Sequence, residues 1–311
     1  MSGDFWFDAL LGVLLLVLAL ATIQARQLAA AVMLYVVFGL MLALAWARLG
    51  AADLALAEAA IGAGLTGALL FSALARQPKS ITPPVRAGKM APLAALMLCI
   101  SMGTVLGWTL WQLPLQPAHS QLPAALEQLG SSGTEHLVTA VLLNFRAWDT
   151  LLELLVLLLA LLGTRLVAAP EPAALQHWPL ARQWSIRLLP LLVLVAFFVL
   201  WRGATAPGGA FQAGALLAAA LVVLRLNGQL PMLSFGAWWV RALILAGVLA
   251  FLLAGLLSLW LNWQPEQAVQ WLSWPLPLAK GLILLIELCA TLAIGLTLTL
   301  LVVGERKELT A

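Results

Sequence analysis

Two glutamates stand where ionisable groups are expensive. Glu58 lies in DLALAEAAIGAGLTGALL (53–70) and Glu287 in KGLILLIELCATLAIG (280–295), both otherwise almost wholly apolar. A charge at the centre of a membrane helix costs at least about 2.5–3.5 kcal/mol on insertion scales, so such a group is a functional-site hypothesis by default. Glu58 is five residues beyond Asp53, roughly 7–8 Å along a helix axis, too deep for a capping role. It either exchanges a proton or cation, or hydrogen-bonds a neighbouring helix while protonated. Glu287 is seven residues past Lys280, roughly 10 Å deeper, and the same two readings apply.

A second group is Arg146, Asp149 and Glu153 in TEHLVTAVLLNFRAWDTLLELL (134–155). Spacings of three and four put them on one helical face. They could line an ion or proton path. Alternatively, Thr150 and Glu153 form a capping box at a helix start, with Arg146 an interfacial ion-pair partner. Asp53 reads most simply as the N-cap of its own helix. In WRGATAPGGAFQAGALLAAA (201–220), Pro207 fixes φ and Gly208-Gly209 permit positive φ, so the chain reverses tightly ahead of Phe211. No P-loop, G-x-S-x-G, H-E-x-x-H or cysteine cluster is present, and His119, His136 and His177 are read as lying outside the spans, unclustered. Neither an enzyme's catalytic centre nor a cofactor or metal site is expected.

The elements that position these residues follow from composition. Of 311 residues, 63% are hydrophobic and 9% charged, against about 45–50% and about 25% in soluble domains. So few charges cannot form a polar shell, so lipid must solvate the apolar surface. The runs are continuous and rich in Leu and Ala, which excludes the alternating strands of a membrane barrel and favours helices. The expected fold is all-α, a polytopic membrane protein with about nine transmembrane helices near 5–23, 29–46, 53–75, 91–111, 148–168, 187–203, 209–227, 238–261 and 279–303. The first run lacks a basic n-region and a small-residue cleavage site, and reads as a retained helix.

Nine spans make the loops alternate in side. Twelve of the sixteen basic residues fall in one set of loops, and only Arg48, Arg146, Arg202 and Lys280 in the other. Basic loops stay in the cytoplasm, so the N-terminus is expected outside and the C-terminus inside. The net charge of +3 then needs no nucleic-acid partner. Trp178, Trp184, Trp260, Trp263, Trp271 and Trp274 occupy interfacial positions, where indoles favour the headgroup level. Cys99 and Cys289 lie in apolar runs and read as inert. A hydrophilic segment opening with Pro170-Glu171-Pro172 is a module boundary.

Three stretches together resemble one family, the small membrane subunits of Mrp-type multisubunit cation/proton antiporters and their relatives in membrane-bound hydrogenases. DLALAEAAIGAGL (53–65) looks like the MbhD-like signature, with Ala52 and Ala57 where Pro and Thr are usual. EHLVTAVLLNFRAWDTLLELLVLLLALLG (135–163) is similar to the MbhE-like module: Asn144 replaces an Asp, while Arg146, Asp149 and Glu153 match. RGATAPGGAFQAG (202–214) looks like the MrpB motif, with Ala204 and Ala210 in place of His and Gly, and Glu287 stands where MrpB has an Asp. The resemblance implies an MbhD-like module over 1–111, including the fourth helix that starts the next module, the rest of an MbhE-like module over 112–170, and a four-helix MrpB-like module over 171–311. It implies a subunit of a multisubunit complex in the bacterial inner membrane, with sodium or protons as its ions and large fourteen-helix antiporter-like subunits as partners. Asp53, Glu58, Arg146, Asp149, Glu153 and Glu287 would then be path candidates, and Pro207, Gly208, Gly209 and Phe211 the motif turn.

Overall fold

The computed structural model describes residues 2–75, 90–113, 121–167, 179–226, 233–261 and 275–303, and among them every regular element is helical. The expected Pro170-Glu171-Pro172 boundary, His119, His177 and Trp178 lie outside the described residues, as do Trp263, Trp271 and Trp274. The chain forms two units, 77–124 and the remainder.

The larger unit opens with the hairpin of α1 (Ser2–Gln24) and α2 (Leu28–Arg48). The next rod has three parts: α3 (Ala52–Ala57), a π-helical stretch over Glu58–Leu65, and α4 (Thr66–Ala75). Its wide middle is rich in glycine, and the Thr66 hydroxyl donates to the Ile61 carbonyl at 2.9 Å, five residues back. The rod packs on α2 through small residues. Ala63 is buried on Gly39, and a β-carbon on Gly67 would stand 2.5 Å from Val36 Cγ2. Gly64, on the same rod, is exposed. Ala63 and Gly67, four apart, form the packing pair.

The smaller unit contains α5 (Met90–Gln112), apolar around its circumference and exposed at every described side chain. A helix apolar all round belongs in a protein core or a membrane.

After α6 (Leu122–Gln128) and a 3₁₀ turn come α7 (Leu137–Ala140), a π-helical turn over Val141–Phe145, and α8 (Ala147–Val167). Arg146 leaves helical geometry at φ −122° and ψ 36°, separating α7 from α8. The expected capping box at Thr150 is absent: α8 has already opened at Ala147, and the Thr150 hydroxyl donates to the Leu142 carbonyl at 2.7 Å. Then follow α9 (Pro179–Arg202), α10 (Ala210–Leu226), α11 (Trp238–Leu261) and α12 (Leu276–Val303). α9 begins eight residues before the expected 187, taking in Trp184, because Pro179 at its first position is pre-set for helix.

α12 is the centre, packed by α8, α10 and α11. Small residues let the backbones approach. A β-carbon on Gly214 would stand 2.7 Å from Ile294 Cγ2, and one on Gly247 2.7 Å from Ala293 Cβ. Phe251, Ile283, Ile286 and Ile294 fill the core between them. α8 follows α12 in level: Leu154, Leu157 and Leu158 line one small cavity with Ala293, Ile294 and Thr297, and Leu161 clusters with Leu296 and Leu300.

Seven helical stretches among the described residues are long and apolar enough to cross a membrane, including Ala52–Phe71, Ala147–Leu166 and Leu278–Val303. α10 adds a shorter apolar stretch, Ala210–Arg225. The nine expected spans thus stand at seven by length and composition.

Candidate functional site

The turn between α9 and α10 is built as its sequence requires. The Gly203 and Gly209 amides both donate to the Val199 carbonyl, each at 3.2 Å, folding the chain back on the end of α9. Gly209 has φ +120°, open to glycine and costly for other residues. A β-carbon on Gly208 would collide with the Val199 carbonyl oxygen. Pro207 is half-buried in the turn, and Phe211, the second residue of α10, packs against the core.

Asp53 holds this turn. It makes no capping bond to its own helix, which corrects the sequence expectation. Its Oδ1 accepts the Gly208 amide at 3.1 Å, and the Gln212 side-chain amide donates to its backbone carbonyl at 3.4 Å. A residue of α3 thus caps the approach to α10, where free N–H groups and the positive end of the helix dipole favour a carboxylate.

A third segment joins from residues 134–139. The amides of Glu135 and His136 and the Thr134 hydroxyl all donate to the Ala204 carbonyl, at 3.0, 3.1 and 2.8 Å. The Thr139 hydroxyl donates to the Gly203 carbonyl at 2.5 Å. His136 Nε2 lies 3.5 Å from Asp53 Oδ2, with Nδ1 3.2 Å from Thr139 Oγ1. His136, expected to stand alone, thus has a carboxylate neighbour. That partner is 83 positions away in the chain, and neither residue carries a local signal of the other.

Glu287 approaches from α12 and is 2% exposed. A β-carbon on Gly209 would stand 3.4 Å from Glu287 Oε1 and 3.7 Å from Gln212 Oε1, so both side chains face the bare glycine. Glu287 Oε2 is buried without a hydrogen-bond partner. An orphaned buried oxygen in a well-packed helix marks a group that takes up a proton, a water or an ion. Cys289, two residues on, is a free thiol.

The remaining candidates stand elsewhere. Glu58 is half-buried at the start of the π-helical stretch, with its carboxyl folded over Gly62, whose β-carbon would collide with it. Single π turns inside α-helices recur at functional sites. Arg146 and Asp149 pair at 2.6 Å on the outside of α8, with side chains 70% and 44% exposed, and Glu153 is exposed one turn on. Asn144 is fully buried, its amide donating to the Ser132 carbonyl at 3.1 Å, a structural peg. Among the described residues no group of three metal-ligating side chains converges.

Comparison with known proteins gives two family matches on this frame. Residues 13–79 match the MbhD family of MBH subunits, and residues 180–304 match a domain related to the MnhB subunit of the Na+/H+ antiporter. Asp53 and Glu58 fall in the first, and Gly208, Gly209 and Glu287 in the second. An uncharacterised protein of Methanocaldococcus jannaschii is 30% identical over 40% of this chain, and the chain spans 56% of that protein's length. The fold resembles a chain in the structure of the Mrp complex from Dietzia sp. DQ12-45-1b, with TM-score 0.71 and 22% identity, over 97% of this chain and 35% of that one. It also resembles a chain of the membrane-bound sulfane sulfur reductase, an archaeal respiratory membrane complex, with TM-score 0.54 and 20% identity, over 70% of this chain and all of that one.

Proposed function

We propose that this chain, a small membrane subunit of the Mrp/MBH type, belongs to a complex that exchanges a cation, sodium by its MnhB-related domain, for protons across the bacterial inner membrane. It has no catalytic centre of its own. It supplies carboxylates to the ion path and a packing surface for larger antiporter subunits. The observation that carries this reading is Glu287, buried, with one oxygen unpartnered, against the backbone of a glycine turn that Asp53 holds from another module. Such a group calls for a proton, a water or an ion as its counterpart.

The module limits follow: 1–111 MbhD-like, 112–170 the rest of an MbhE-like module, and 171–311 MrpB-like. Nine spans with the N-terminus outside fit the basic loops, with α9 and α10 held in the bilayer by α12. The likeness to a respiratory membrane complex favours one second reading, in which ion flow drives a hydrogenase-like or carbon-uptake machine on the cytoplasmic side. Co-purification from mild detergent separates the two: antiporter subunits alone, or a soluble redox or catalytic partner.

The direct test is Glu287→Gln, which keeps the shape and cannot titrate. The complex should assemble, while sodium-dependent proton movement in inverted vesicles falls at least tenfold. Normal transport by the assembled variant would leave Glu287 a structural residue.

A further inference from the structure

Along α8, Asp149, Leu152, Glu153, Val156 and Leu159 recur at helical spacing and share one face. Leu152, Val156 and Leu159 are exposed apolar side chains, and Glu153 is exposed among them. The opposite face, with Leu151, Leu154 and Leu161, is buried in the core.

Depth makes Glu153 unusual. Its neighbour Leu154 lines a cavity with Ala293 and Ile294 of α12. Those residues lie near the middle of the 26-residue span Leu278–Val303. Glu153 is therefore level with the middle third of that span, on an outward face of the larger unit. Asp149 is balanced by Arg146 at 2.6 Å. Among the described residues Glu153 has no hydrogen bond or ion pair, and the nearest charge along its own helix, Asp149, is of like sign. Ionisable side chains at this depth face protein or a water-filled cavity, and pair.

We propose that this face of α8 docks a membrane-spanning helix of another subunit that carries a basic side chain at mid-depth, paired with Glu153. The inference rests on the reading of this chain as one subunit of a larger membrane complex. Within the seven long apolar stretches of a second copy, the basic residues Arg48, Arg165, Arg241 and Lys280 lie near helix ends and do not reach this depth. Lipid supplies none at this depth.

A photo-crosslinking residue placed at Val156, in the intact complex in its own membrane, tests the proposal. The adduct should map to a spanning segment of a different subunit, with a Lys, Arg or His within about one helical turn of the contact. Glu153→Lys, which sets like charges together, should lower adduct yield by about tenfold or more. Reversing the partner's base to Glu in the Glu153→Lys background should restore it. Adducts with lipid, with a second copy, or with a helix lacking a base overturn the proposal, as does an unchanged yield in Glu153→Lys. If Glu153→Lys prevents assembly, the double reversal decides: recovered complex supports the pairing, and continued loss overturns it. The readout is adduct and assembly, not transport, so it stands or falls separately from the ion-path reading of Glu287.

Discussion

Gly209 presents a bare α-carbon to the carboxyl of Glu287: a β-carbon built there would stand 3.4 Å from Oε1. That distance is ordinary contact, so an alanine would fill the space beside the carboxyl without a hard clash. The backbone is the stricter limit, since φ is +120°. Holding a non-glycine residue in such a region costs of order 1–3 kcal/mol. Gly209→Ala should therefore destabilise the turn by about that much and lower the thermal midpoint of the purified complex. Gly12→Ala on α1, where a β-carbon meets nothing within 4 Å, should leave it unchanged or slightly higher. Equal midpoints for the two variants would mean that the turn relaxes freely.

The contact between the second and third long helical rods gives a separate prediction. Gly67 faces Val36, with only 2.5 Å between a built β-carbon and Val36 Cγ2. Overpacking of this kind costs about 1–3 kcal/mol. Gly67→Leu should reduce recovery of the assembled complex several-fold in mild detergent. Gly64→Leu, on the exposed side of the same rod, should cost less. Equal losses from both would move the interface to another face.

What is legible in the sequence divides by range. Continuous apolar runs reveal the long helical rods, because lipid-facing helices need nothing else. Glu287 is legible for the same reason, as an acid with no local role. Its contact with Gly209 is not, since 78 positions separate them and no periodicity spans that distance. Asp53 reads as a cap of its own helix because local rules offer local partners. It caps a turn 155 positions on. The π-helical stretches at Glu58 and Val141 leave no trace, because apolar patterning does not record which carbonyl an amide chooses.

That long-range cap can be tested by grading its replacement. Asp53→Asn retains an acceptor for the Gly208 amide and loses the charge beside His136. Asp53→Ala loses both, leaving a half-buried amide unpaired at a cost of about 1–3 kcal/mol. Thermal stability of the complex should fall in the order wild type, Asp53→Asn, Asp53→Ala. Should the two variants melt together, the charge facing His136, and not the hydrogen bond to the turn, would be what Asp53 supplies.

Glu58 offers the sharpest separation of shape from charge. Its carboxyl lies over Gly62 at the start of the π-helical stretch, where the absence of a side chain makes room for it. Glutamine has the same length and branching, so Glu58→Gln should settle on Gly62 as the native side chain does, and the complex should assemble in normal yield. Glutamine cannot take up or release a proton, nor neutralise a cation. Sodium-driven proton movement in inverted vesicles should therefore fall at least tenfold in Glu58→Gln, while Glu58→Asp, one methylene shorter but titratable, keeps part of it. Gly62→Ala, which forces the carboxyl off its seat without removing it, should fall between the two. An assembled Glu58→Gln complex transporting at the native rate would show that the carboxyl only packs the helix, and the proposed ion path would then have to run through Glu287 without it.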